Sequence, residues 1–338
     1  MRSQLPKVLH PIAGRPMLQH VLDTARALSP EALAVVVGVG DDVRAAVAAS
    51  DADVHASVGT VDIVVQAQQL GTGHAVAQAE TALAGCADTV LVLYGDTPLI
   101  TAATLRRLAE AHAASDAAIT LLTTHIENPA LRPNGRVVRD ADGAIVGVVE
   151  APEATPQQRA IAECNMGIYA FRDAWLWPAL AHVPPSAVKG EIYLTALIGM
   201  AIAEGLTVDA VATPDTTETL GVDTRALLAE AEAVMQRRIA RHWLDSGVTL
   251  INPDTVTIEA SVSIGPDTTI YPHTCLQGRS HIGAGCILGP GAVIRDAVLG
   301  DGCRVEMAVV EGMTLLPGAQ VAPFTHLCGG KATWAPDI

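Results

Sequence analysis

A chain of 338 residues, half of them apolar, is long enough for two domains that each bury a core. Asp and Glu outnumber Lys and Arg by 36 to 21, and the formal charge of -15 excludes the clustered cationic surface that nucleic acids and anionic membranes require. With two Phe, four Tyr and four Trp, the core falls to Ala, Val, Leu and Ile.

Residues 5 to 16, LPKVLHPIAGRP, are dense in breakers and read as loop. Pro16 suits the first turn of a helix, and Met17 to Leu28 carries amphipathic spacing through Met17, Val21, Leu22, Ala25 and Leu28. Leu33 to Val37 reads as a buried strand, Asp41 as the cap of a helix through Ala49, and Asp62 to Gln66 as another short strand. Gly71-Thr72-Gly73 opens an Ala-rich helix to about Leu83. Thr89 to Tyr94 is a continuous apolar strand, stopped by Gly95 and Pro98. Thr101 caps a helix over Ala102 to Ala114, and Ala117 to Thr124 is strand-like. This alternation predicts an α/β fold, a doubly wound, mostly parallel sheet. Short strands with turns at Asn134-Gly135 and Asp142-Gly143 fill Pro133 to Phe171. Helices are expected over Asp173 to Ala181 and Glu191 to Glu204, a strand over Leu206 to Ala212, and a long helix over Thr224 to Ser246.

From Val248 the grammar changes. Apolar residues recur at every sixth position: Ile258, Ile264, Ile270, Leu276, Ile282, Leu288 and Ile294. A small residue follows four places after each of the first six, from Val262 to Ala292. This period is the signature of a hexapeptide β-helix, three hexads to a coil, a left-handed solenoid. The register slips after Ile294, with apolar positions next at Leu299, Val305, Val310, Leu316 and Val321. The tail from Cys328 to Ile338 abandons the period. His273, His281 and His326 read as solvent-facing turn residues.

The six cysteines, Cys86, Cys164, Cys275, Cys286, Cys303 and Cys328, show no C-x-x-C spacing and read as small buried residues of a reduced, cytoplasmic protein. The longest apolar candidate, Ile192 to Gly205, is interrupted by Thr195, Gly199 and Glu204, which argues against a membrane span. Met1-Arg2-Ser3-Gln4 does not read as a signal peptide. In an open α/β sheet ligands bind off the carboxyl ends of the strands, and Asp96 stands at such an end. A carboxylate there suits a turn cap, or a hard cation such as Mg²⁺ whose other oxygens come from nucleotide phosphates.

Five motifs stand in one order: Leu5-Pro6-Lys7-Val8-Leu9-His10, Gln69-Leu70-Gly71-Thr72-Gly73-His74-Ala75, Tyr94-Gly95-Asp96-Thr97-Pro98-Leu99, Gly147-Val148-Val149-Glu150 and Gly221-Val222-Asp223. With the hexads behind them, the chain resembles the bacterial N-acetylglucosamine-1-phosphate uridylyltransferases, the pyrophosphorylase half of a bifunctional family. The resemblance runs from Met1 to about His326. It implies a nucleotidyltransferase domain over residues 1–223, a linking helix over 224–247 and a short left-handed β-helix over 248–338. It implies the reaction of UTP with N-acetylglucosamine 1-phosphate to UDP-N-acetylglucosamine and pyrophosphate, in the cytoplasm, by a homotrimer with no nucleic-acid or membrane partner.

The same resemblance makes Asp96 and Asp223 ligands of Mg²⁺ and gives Lys7 to the phosphates. Gln66, Gly71 and Thr72 fall at positions that read the uracil edge, while Gly135, Glu150 and Asn165 fall on the sugar side. Asn134, Met166 and Ala196 stand where the family commonly has Tyr, Thr and Asp, and Asp223 where it commonly has Asn. The family's opening strand and glycine-rich loop, of the form L-A-A-G-x-G-T-R-M, have no counterpart here, because Met1 falls at the final Met of that pattern. That implies weak turnover by residues 1–338, through a shortage of main-chain amides for phosphate. The hexads stop before the coils that carry acetyl transfer in the family, so that second activity is not expected of this chain. A glucose 1-phosphate nucleotidyltransferase and a non-catalytic trimeric scaffold are the alternatives.

Overall fold

The structure, a computed structural model, describes residues 1–53, 61–127, 129, 134–186, 190–329 and 333–334. Pro133 and most of the tail beyond Gly329 lie outside these residues. The chain divides into two compact units: Met1–Leu9 with Met17–Asp223, and His10–Pro16 with Thr224–Ile338.

The breaker-rich segment is a hairpin, not a loop. β1 (Pro11–Ile12) pairs antiparallel with β2 (Arg15–Pro16). Ala13 and Gly14 turn the chain with φ of 45° and 77°, the positive values a two-residue hairpin needs. Pro16 therefore ends a strand just before the helix instead of lying in its first turn.

The first unit follows as α1 (Met17–Arg26), β3 (Ala34–Val37), α2 (Asp42–Asp53), β4 (Asp62–Val65), α3 (Thr72–Ala77), α4 (Glu80–Leu83), β5 (Thr89–Val92), α5 (Ala102–Ala114), β6 (Ala117–His125), β7 (Arg136–Arg139), β8 (Ile145–Val149), α6 (Pro156–Arg159), β9 (Glu163–Arg172), α7 (Asp173–Leu180), α8 (Ala196–Ala203) and β10 (Thr207–Ala212). Thr101 caps α5 by accepting from the Thr104 amide at 3.2 Å. The single Ala-rich helix expected after Gly71 is two. The Gln78 amide bonds back to Ala75 O at 3.1 Å, and its side chain takes over the His74 carbonyl at 3.2 Å, so the helix tightens and breaks there.

The main sheet runs β10-β6-β9-β7-β8, with β5 also paired to β9. It is mixed, not mostly parallel. β10 and β6 are parallel, but β9 runs antiparallel to β5, β6 and β7. β9 shows why it sits at the centre. Cys164, Met166, Ile168 and Ala170 face one core with Leu105 and Leu108 of α5. Tyr169 and Phe171 face the other, with Trp177 of α7 and Leu197 of α8. A strand buried on both faces reads as a continuous apolar run, and helices cover both sides. β3 and β4 form a separate parallel pair. Among the described residues no strand joins that pair to β5, and between them lies an apolar cavity of about 580 Å³ lined by Val35, Val36, Leu91 and Leu93.

In the second unit, α9 (Arg225–Asp245) starts at Thr224, whose hydroxyl accepts from the Leu227 amide at 3.2 Å. The following strands pair in parallel into three five-stranded sheets, the faces of a parallel β-helix. Ile258, Ile264, Ile270, Leu276, Ile282, Leu288 and Ile294 are all buried in one stack. Each is worth roughly 1.5–3 kcal/mol relative to exposure. The first coil is closed by α9, where Gln236 accepts from Ile258 N at 3.0 Å and donates to Ile258 O at 3.1 Å. After Ile294 the coils shorten. Val293 to Val309 pair across sixteen residues where Cys275 to Val293 span eighteen, and the inward residue is Leu315, not Leu316, which is 41% exposed. The tail does not leave the solenoid at once, since Thr333–Trp334 pairs with Thr314–Leu315.

His281 and His326 lie on exposed strand positions and His273 at a corner with φ of 61°. Of the cysteines, Cys164, Cys286 and Cys303 are buried, but Cys86 and Cys328 are exposed, so burial does not explain those two. No helix among the described residues is long and apolar enough to cross a membrane.

Candidate active site

All nine sequence-predicted site residues belong to the first unit. Beyond β5 the chain makes a tight turn. Thr97 closes it with its amide and its hydroxyl on Tyr94 O, at 3.2 and 2.7 Å. Gly95 sits where a Cβ would lie 3.1 Å from Leu18, so the turn packs closely against α1 and a side chain there would push on Leu18. Asp96 then projects from a strand end. It is not the cap of α5, which is Thr101.

Val222 N donates to Asp96 O at 2.9 Å and draws Asp223 alongside. Lys7 comes from a short 3₁₀ turn, Lys7–Leu9. Its ammonium donates to Asp96 Oδ2 at 2.5 Å and to Asp223 Oδ1 at 2.7 Å. Burial pulls the Lys7 pKa down, but the bonds to Asp223 and Asp96 outweigh it and hold the group above the usual lysine value. Two carboxylates far apart in sequence thus converge on one cation.

The nucleotide-side residues form a second group. Gly71 has φ of 112°, and a Cβ there would lie 2.6 Å from Ile192 O. It is also the N-cap of α3. Thr72 does not cap that helix; its hydroxyl accepts from Leu194 N at 3.0 Å. Gly73 N donates to Ile192 O at 2.8 Å and Ile192 N to Leu70 O at 2.7 Å. Those bonds tie Ile192 to the Gly71 loop, and the helix expected from Glu191 begins only at Ala196. The Gln66 carboxamide nitrogen donates to Gly71 O at 3.2 Å and lies 2.9 Å from His74 Nδ1. Its edge is thereby fixed by the loop it adjoins.

On the sugar side, Asn165 N donates to Gly135 O at 2.9 Å. The Asn165 carboxamide donates to Tyr169 Oη at 2.6 Å and accepts from Gly167 N at 3.2 Å. Glu150 accepts from Thr195 Oγ1 at 2.9 Å, and a Cβ on Gly135 would lie 3.7 Å from its other oxygen.

Tyr94 ties these groups together, and sequence reading gave it no role. It is hydrogen-bonded to Thr72, and its ring lies against Gly167, where a Cβ would come within 2.1 Å of it. Burial pushes its phenol up to about 12, against the Thr72 bond, with the Glu150 and Asp96 carboxylates adding to the rise. Its position inside Tyr94-Gly95-Asp96 was the available signal; its partners come from tertiary structure. Thr195 was likewise missed, although it lies in the segment that contacts the Gly71 loop.

The arrangement offers oxygen ligands and a movable ammonium at a strand end, flanked by glycine-rich backbone and by amide and carboxylate groups. That is a set for positioning and neutralising phosphates.

Residues 1–246 match the profile of the MobA-like NTP transferase domain, and residues 261–296 match the bacterial transferase hexapeptide of six repeats. A protein of Shouchella clausii called bifunctional protein GlmU is 41% identical over 332 residues, which cover 98% of this chain and 70% of that protein. Its namesake in Alkalilimnicola ehrlichii is 44% identical over 331 residues, 98% of this chain and 68% of that one. Among solved structures, a CMP:2-keto-3-deoxy-manno-octonic acid synthetase complexed with CTP superposes with a TM-score of 0.52 at 23% identity. It covers 70% of this chain and 94% of that one, and the likeness is one of fold.

Proposed function

Because this chain belongs to the bifunctional GlmU family and carries that family's nucleotidyltransferase domain, we propose that it makes UDP-N-acetylglucosamine and pyrophosphate from UTP and N-acetylglucosamine 1-phosphate. One observation carries the reading beyond family membership: Asp96, Asp223 and Lys7 converge at the end of β5.

A phosphate oxygen of the sugar phosphate attacks the α-phosphorus of UTP in line. A new P–O bond forms, the bond to the β-phosphate oxygen breaks, and pyrophosphate leaves with that electron pair. Such chemistry needs positioning and charge neutralisation more than covalent help. The Lys7 ammonium neutralises phosphate oxygens. Gly71 brings backbone close to the base, and Gln66 and Thr72 complete that wall. Glu150 takes sugar hydroxyls, and Gly135 and Asn165 shape the pocket for the acetamido group.

The donor set fits a divalent metal. Asp96 and Asp223 present only oxygen and already share one cationic partner, as a hard ion requires. These two residues would hold Mg²⁺, which when bound supplies charge for the developing phosphate oxygens. The β-helix assembles three copies, and the exposed Tyr271, Val298, Met307 and Phe324 offer apolar surface for partners. The nucleotide substrate places the work in the cytoplasm.

A pyrophosphate-release assay tests the reading. UTP with N-acetylglucosamine 1-phosphate is expected to exceed dTTP or glucose 1-phosphate, and Asp96→Asn to lose at least ~100-fold in kcat. Release unchanged in Asp96→Asn overturns it.

A further inference from the structure

The bonds from Lys7 to Asp96 and Asp223 place an ammonium where two acidic ligands meet. The Lys7–Asp223 pair, with Asp223 62% exposed, is too open to water to contribute much to stability, so fold maintenance alone does not account for that half of the arrangement; the Lys7–Asp96 pair is the more buried one, with Asp96 23% exposed. Among the described residues no third His, Cys, Asp or Glu joins the two carboxylates to make a metal cluster. Two carboxylates are a poor seat for a divalent cation until substrate phosphates add oxygens. The ammonium, on a flexible four-carbon stem, is a compact charge that can change partners.

We infer that Lys7 is a stand-in cation: without nucleotide its ammonium holds the seat between Asp96 and Asp223 against free metal, and it yields the seat when phosphates arrive to take it. Charge counting supports this order. The two carboxylates and the Lys7 ammonium sum to one negative charge, which the Met1 ammonium, 3.1 Å from the Asp223 carbonyl, already offsets from beside the seat; a divalent ion added beside the Lys7 ammonium turns the seat positive. Phosphate oxygens remove that excess and give the ammonium another partner. The metal therefore enters with the nucleotide, and free metal neither loads nor inhibits the resting protein. This inference rests on the reading of Asp96 and Asp223 as metal ligands.

The test is Mn²⁺ binding to the full chain, followed by the electron-spin signal of the free ion. It is run without nucleotide and then with the α,β-methylene analogue of UTP. Without nucleotide, Lys7→Met and Lys7→Gln are expected to bind Mn²⁺ at least tenfold more tightly than the unaltered chain. Adding Asp96→Asn to either variant is expected to abolish the gain. With the analogue present, the gap between unaltered chain and variants is expected to narrow. Two lysine variants that unfold like the parent in urea keep the comparison meaningful. If both bind no more tightly than the parent, while the parent binds Mn²⁺ through Asp96 once the analogue is added, the stand-in role is overturned and the metal site stands. If Asp96→Asn changes binding in no state, the metal site itself is refuted and the inference goes with it.

Discussion

Gly167 gives the sharpest stability prediction. It lies in the middle of β9, two residues after Asn165, and adopts φ of 75°. A left-handed residue with a Cβ costs about 1–2 kcal/mol. A Cβ here would also fall 2.1 Å from Tyr94 Cε2 and 2.8 Å from Cδ2, inside contact distance of a ring that also bonds Thr72. Overpacking of that kind costs about 1–3 kcal/mol. Gly167→Ala is therefore expected to destabilise by roughly 2–5 kcal/mol. Gly143 is the control, because its φ is 86° and nothing lies within 4 Å of its Cβ position. Gly143→Ala should show the backbone part alone, about 1–2 kcal/mol. Urea unfolding of both variants measures the difference, and Tyr94→Leu in the Gly167→Ala background should recover part of it. Equal losses at the two glycines would refute the contact between Gly167 and Tyr94 as the source.

Three further outcomes are expected. The raised Tyr94 pKa means that the folded phenol keeps a proton which the unfolded one loses near 10, so its contribution is complete below that pH and disappears as pH rises toward 12. Tyr169, also raised by burial, acts in the same direction. Tyr94→Phe should therefore shrink, without removing, the fall in urea midpoint between pH 8 and pH 11, and an unchanged fall counts against it. Thr101→Ala removes the α5 cap and the 2.7 Å donor to buried Glu218, for a loss of about 2–4 kcal/mol, whereas Thr224→Ala at an exposed cap should lose about 1. Leu315→Ala should lose about 2–5 kcal/mol and Leu316→Ala under about 0.5, and the reverse order would contradict the coil register.

The solenoid was legible because its signal is local. A residue six places on from Ile258 faces the same core, so the period can be read without knowing which strands pair. Leu316 was misplaced because the slip after Ile294 shortens the coil, and two adjacent leucines give no local cue to which one turns inward. In the first unit the apolar runs marked most of the strands, but not the direction of β9, since antiparallel and parallel neighbours both bury a strand on two faces. The segment from Glu191 to Tyr193, expected as the start of a helix, lies outside any helix, because the Ile192 bonds go to Leu70 and Gly73, far away in the chain. The site divides in the same way. Asp96 was visible as a carboxylate after a strand. The convergence of Lys7 and Asp223 upon it, and the span of Tyr94 from Thr72 to Gly167, are made only by folding.

The apolar gap between β3 and β5 bears on how the first unit loses structure. The β3–β4 pair shares no ladder hydrogen bond with the main sheet among the described residues and meets it only through packing of Ala34 and Val36 on the main core, so the segment from α1 to β4 is expected to open while β6 and β9 keep their rungs. Cooperativity is thereby divided within one compact unit, and two levels of amide protection follow. Protons on β3 and β4 are expected to exchange through a low-energy partial opening and those on β6 and β9 only with the whole unit, which amide hydrogen exchange would show. Lys7 packs its turn against α1, and the Asp96 turn meets the same helix at Leu18 while its carbonyl is bonded to Val222 N. Both reacting groups thus border the part expected to open first, and closing the gap is expected to steady the cation against its carboxylates.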